Sequence, residues 1–130
     1  MNDQTSRDLL AAAGLIAKNC LCKGRLWDEY RNDTSGPHCV RGAIIAVVAR
    51  RNELLFTGQE KARVVCAENR LREQLGLPAP LNGPYGTDLP DWNNAPERTQ
   101  SDVVTALRAA AKPKTDISIF TDMLEPELVS

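Results

Sequence analysis

This sequence has almost no net charge: 16 Lys and Arg stand against 17 Asp and Glu, for a formal balance of −1. That excludes the strong basic field of a typical nucleic-acid binder, and equally an acidic mimic of DNA. Long apolar runs are also missing. Leu9 to Ala17 spans nine residues, against the roughly 20 that cross a bilayer. Histidine occurs once, as His38, so any Cys-His enzyme in this chain must use it. No G-x-x-x-x-G-K-[ST] phosphate cradle is present, and Gly83-Pro84-Tyr85-Gly86 contains a proline that removes a needed amide donor. Eight Gly and eight Pro are close to average, which excludes collagen-like and linker classes. No period in the sequence suggests a solenoid.

What remains is a chain of 130 residues, 42% of them apolar, too hydrophobic for wholesale disorder. Its length fits one small domain over 1–115, burying roughly 65–70% of its unfolded surface. An acidic segment, 116–130, follows, either docked or mobile. The Leu9–Ala17 run resembles the core of an export signal, but its leading flank carries Asp3 and Asp8 against Arg7 instead of a basic cluster. A cytoplasmic location is therefore expected, with Cys20, Cys22, Cys39 and Cys66 as thiols or ligands and not disulfides.

Apolar periodicity predicts a mainly α-helical fold of about four helices. Thr5-Ser6-Arg7-Asp8 fits a helix-start signal, and Leu9, Ala13, Ile16 and Cys20 follow at helical spacing, with Leu10 and Ala17 beside them. This gives a first helix over about 6–19. Residues 21–38 are dense in turn formers, with Arg25 to Arg31 a candidate extended piece. The most apolar segment, 39–51, reads as a central helix enclosed by the others. Its Ile44, Ile45, Val47 and Val48 leave a buried strand, and so an α+β fold, as the alternative. Arg50 and Arg51 suit a last helical turn, with Asn52 as a left-handed stop. A third helix is predicted over 59–75, stopped by Leu75-Gly76-Leu77-Pro78. Residues 78–98 read as a connection anchored by Leu81, Tyr85, Leu89 and Trp92. A last helix starts at Thr99-Gln100-Ser101-Asp102 and ends near Lys112-Pro113.

Two short motifs stand out. Cys39-Val40-Arg41-Gly42-Ala43-Ile44 has the form C-x-x-G-A-[IL]. Trp92-Asn93-Asn94-Ala95-Pro96-Glu97-Arg98-Thr99 has the form W-N-[DN]-x-x-x-R-T. Together with the turn-rich segment between the first two helices, they resemble a family of small uncharacterised proteins from high-GC Gram-positive bacteria and their phages. The resemblance implies a mainly helical, cytoplasmic protein, phage-encoded in some members, and carries no activity. Members tend to have Asp where this chain has Asn94, which speaks against an acid-base role there.

Four chemical readings compete. Cys20, Cys22, His38 and Cys39 are soft ligands, but C-x-C is tighter than the C-x(2–4)-C of structural zinc, and adjacent His38 and Cys39 point apart at a helix start. No metal or other cofactor is expected, and Cys39 and Cys66 read as small buried hydrophobes. A Cys-His enzyme using His38 with Cys22 or Cys39, oriented by Asp28 or Asp33, is a second reading. Nucleic-acid binding through a basic 61–72 helix face, with Lys61, Arg63 and Arg70, is a third. The favoured reading is a non-enzymatic accessory or regulatory protein that binds another protein. Its candidate anchors are Trp27, Tyr30, Arg25 and Arg31 on a loop with little core to claim the rings. Trp92 reads instead as fixing the chain's entry into the last helix, with Asn93 or Asn94 bonding loop or helix-end amides.

Overall fold

A computed structural model describes residues 3–27, 34–51, 57–77 and 88–112 of the chain. Within them lie five helices: α1 (Gln4–Asn19), α2 (Val40–Ala49), α3 (Gly58–Leu75), α4 (Asp88–Asn94) and α5 (Gln100–Ala111). No strand occurs among the described residues. Pairing there is limited to isolated bridges, Leu21 with His38 in parallel sense and Trp27 with His38 in antiparallel sense. The 39–51 segment is thus built on a helix, Val40–Ala49, and not on a strand. Tyr30, Arg31, Asp28, Asp33, Leu81, Tyr85 and the acidic segment 116–130 lie outside the described residues.

α2 is the centre. Nine of its ten residues are buried, and Val40, Ala43, Ile44 and Ile45 are fully so. A ten-residue helix is marginal on its own; this one is held because α1 and α3 pack around it and α4 rests on it. Leu9, Ile16, Leu71, Val103 and Leu107 join the same apolar cluster from the surrounding helices, and Leu89 adds α4 to it. Each such side chain contributes roughly 1.5–3 kcal/mol by leaving water.

Helix ends follow local chemistry. Thr99 and Asp102 form a reciprocal capping box at α5, and Thr57 and Glu60 form another at α3. At the end of α3, Gly76 is left-handed (φ 72°) and Leu77 N–H donates to the Arg72 carbonyl at 2.9 Å, while the Leu77 side chain packs back on the core.

Five expectations need correction. α1 begins earlier than Thr5-Ser6-Arg7-Asp8 suggests, because the Asp3 carboxylate accepts from Ser6 N–H at 2.7 Å. Leu10 is 43% exposed, and Ala17 and Cys20 are exposed too. The buried face of α1 instead includes Ala12 and two polar residues, Ser6 and Asp8, which apolar periodicity passes over. Cys66 is exposed, not a core thiol. α2 ends at Ala49, so Arg50 lies past its last turn, as the left-handed cap (φ 62°); Asn52 lies outside the described residues. Finally, the 78–98 connection contains α4. Asp88-Leu89-Pro90-Asp91 is a helix start: Asp88 accepts from Leu89 N–H at 2.9 Å, Pro90 sits in the first turn where its missing donor is harmless, and two acids lie in the first turn, at the positive helix end.

Candidate functional site

The N-terminus of α2 is buried, so water cannot satisfy its free amides and protein atoms must. Cys39 is the N-cap, its Sγ accepting from Gly42 N–H at 3.3 Å. Asn93 Oδ1, from α4, accepts from Val40 N–H at 2.9 Å, and Asn93 Nδ2 donates to the Cys22 carbonyl at 3.1 Å. Asn94 Oδ1 accepts from Gly24 N–H at 2.9 Å. The backbone of Leu26 closes the ring: its carbonyl accepts from Cys39 N–H at 2.9 Å and lies where a Cβ on residue 42 would collide with it. Both sequence motifs therefore meet at one junction. Cys39 and Gly42 let the 22–27 segment sit flat on α2, and Asn93 and Asn94 pin that segment to α4. Arg98 completes it, donating from Nε to the Trp92 carbonyl at 2.9 Å with its guanidinium 4.3 Å above the Trp92 ring.

His38, a turn residue in sequence, is fully buried. Its backbone is bonded on both sides, N–H to the Cys20 carbonyl (3.2 Å) and carbonyl from Cys22 N–H (3.0 Å), and Trp27 meets its ring edge-on with centroids 6.3 Å apart. Trp27 is half-buried against the core, while Arg25 is exposed. The candidate ligands are gathered along the backbone, yet among the described residues no group of three or more His, Cys, Asp or Glu is placed to hold a metal. Cys20 is exposed, Cys22 Sγ faces the Arg25 carbonyl at 3.4 Å, and Cys39 caps α2. Burial pushes the Cys39 thiol up, the opposite of what activates a nucleophile.

The basic face of α3 is engaged with α1. Arg63 forms a two-pronged pair with Asp8 (2.7 and 3.2 Å), and Arg70 reaches Asp3 and Ser6, each at 2.7 Å. The Arg70 hydrogen bond, helped by Ser6, holds the Asp3 carboxyl well below the usual carboxylate range.

Sequence reading passed over a buried ionic chain. Arg41 Nε donates to Glu68 Oε2 at 2.7 Å, and Arg72, also buried, lies 3.9 Å from Glu68 Oε1 and 2.8 Å from Asp88. The chain ties α2, α3 and α4 together. Its signal was present: Glu68 occupies the core stripe with Val64, Leu71 and Leu75, and Arg41 interrupts the most apolar run.

Two depressions among the described residues combine apolar lining with a charged side chain. A pocket of about 200 Å3 lies between Gly24, Arg25, Leu26, Cys39, Pro90 and Asn94. A wider groove of about 380 Å3 runs along α5 to the end of α3, with Leu75, Trp92, Ala106 and Ala109 as apolar lining and Arg98 and Asp102 beside them. Among the described residues, no helix is long and apolar enough to cross a membrane.

The chain belongs to DUF6197, a family of unknown function, which matches residues 1–113. The resemblance to an uncharacterised family thus holds over the whole helical part. No curated protein and no solved structure matches it.

Proposed function

Starting from a family that assigns no activity, we propose that this chain is a non-enzymatic accessory or regulatory protein of the cytoplasm that acts by binding another protein. The observation that carries this reading is the Trp92–Arg98 groove. An aromatic ring and a guanidinium, stacked at 4.3 Å, border an open trough lined by Leu75, Ala106 and Ala109. Trp and Arg are the residue types that dominate binding energy at protein interfaces, and small alanines let a partner backbone come close. The partner that fits is a short protein segment with an apolar anchor against Trp92 and a carboxylate for Arg98. This moves the favoured anchor from Trp27, whose ring is committed to His38 and the core, to Trp92.

The rival readings have less support. A Cys-His enzyme built on Cys39 needs a low-pKa thiol, and burial works the other way. Nucleic-acid binding by the 61–72 face would compete with the pairs that Arg63 and Arg70 make to α1. Once a partner is identified, Ala109→Arg, which blocks the trough, is expected to weaken its affinity at least about tenfold with the melting temperature unchanged. Unchanged affinity would end this reading.

A further inference from the structure

The second depression shares no lining residue with the groove and carries a different chemistry. Leu26, Pro90 and Cys39, the last only 4% exposed, are the apolar residues of its lining. It is a half-open depression of about 200 Å3, with room for a body of about one ring. Polar groups stand on its lining rather than filling it. Arg25 is exposed, and among the described residues its guanidinium makes no ion pair or hydrogen bond. Asn94 is held by its carbonyl oxygen, which accepts from Gly24 N–H and from Asn93 Nδ2, so its own NH2 remains a donor. The Cys39 thiol is already engaged with Gly42 N–H, and the Val40 amide with Asn93. The pocket therefore offers an apolar body space, one cation and one amide donor.

We propose that this pocket is a binding site for a small organic monocarboxylate with a compact apolar body of about one ring. The body lies against Leu26, Pro90 and Cys39, and the carboxylate pairs with Arg25, supported by Asn94. A phosphate or a bare divalent anion does not use the apolar walls, and a cation meets Arg25. The rigidity of the site follows from the junction that builds it. The 24–26 segment is fixed by Asn94 and by the Leu26–Cys39 hydrogen bond, so little ordering is needed on binding.

The test is a titration of the full-length protein, labelled with 15N, with benzoate, benzamide and acetate, followed by amide chemical shifts. Benzoate is expected to bind saturably, with Kd on the order of 1 mM or below, and to move the amides of Gly24, Leu26, Cys39 and Asn94. Benzamide, without the charge, and acetate, without the body, are each expected to bind at least about tenfold more weakly. Arg25→Ala, an exposed substitution that leaves the junction intact, is expected to cost benzoate a similar factor, and Arg25→Lys less. Shifts that do not saturate, that fall on other residues, or that Arg25→Ala leaves unchanged would overturn the proposal.

Discussion

At the residue scale, the two motifs are explained by backbone chemistry. Gly42 has no freedom to carry a side chain, because the Leu26 carbonyl that serves Cys39 N–H occupies the space. Gly42→Ala is expected to destabilise the protein by about 1–3 kcal/mol through the shift it forces, read from urea unfolding. Asn93 is completely buried and serves one amide and one carbonyl on different segments. Asn93→Ala strands both, and the expected cost is about 2–4 kcal/mol. Cys20 sits at φ 82°, ψ 160°, a region that suits glycine, so Cys20→Gly is expected to leave the melting temperature equal or higher; a clear drop would show that the side chain holds the turn. The sequence made Asn93 or Asn94 legible as an amide partner because Asn caps helices locally. It could not reveal that the helix being capped begins 53 positions earlier, at Val40.

At the scale of elements, α2 was readable and α4 was not. Apolar density marks α2, and its burial predicts that Ile44→Ala costs roughly 2–4 kcal/mol. α4 has seven residues and no apolar period; tertiary contacts through Leu89, the Asp88–Arg72 pair and the Asn93 and Asn94 hydrogen bonds give it a place. The same ionic chain makes a sharper prediction. Removing one partner leaves a buried charge exposed to its full desolvation cost, so Arg41→Met alone is expected to lose about 3 kcal/mol, and Arg41→Met with Glu68→Leu to lose less than the sum.

Glu68 also sets a pH dependence. Burial pushes its carboxyl above the ordinary 4.5, outweighing the pull of Arg41 and Arg72. The folded state then holds a proton that the unfolded chain has released, so the stability Glu68 contributes is full at low pH and declines as pH rises above 4.5. Asp3 and Asp102 act in the opposite sense, since their lowered values give stability that is lost as pH falls below the ordinary 3.8. Glu68→Gln removes the first effect alone. Its stability relative to the parent is expected to grow as pH rises above 4.5 in urea unfolding; a difference that shrinks as pH rises would contradict the assignment.

At the scale of the whole molecule, the proposed binding groove lies where the elements meet and not within any one of them. The groove draws Leu75 from the end of α3, Trp92 from α4, Arg98 from the turn that follows and Ala106 and Ala109 from α5. These residues span 35 positions in the chain, and no local pattern connects them. Trp92 was legible as an anchor for the start of α5, which it is, through Arg98; its place at the edge of a trough follows only from packing. The most direct test of a binding role places a photo-activated cross-linking residue at 109, in the groove, and at 14, a solvent-facing position of α1, in the full-length protein within the cell that produces it. A binding role in the groove gives one protein adduct, identified by mass spectrometry, that forms from 109, is absent from 14, and is lost when Arg98→Ala is added. Adducts of equal yield from both positions, or one from 109 that Arg98→Ala leaves intact, would contradict it.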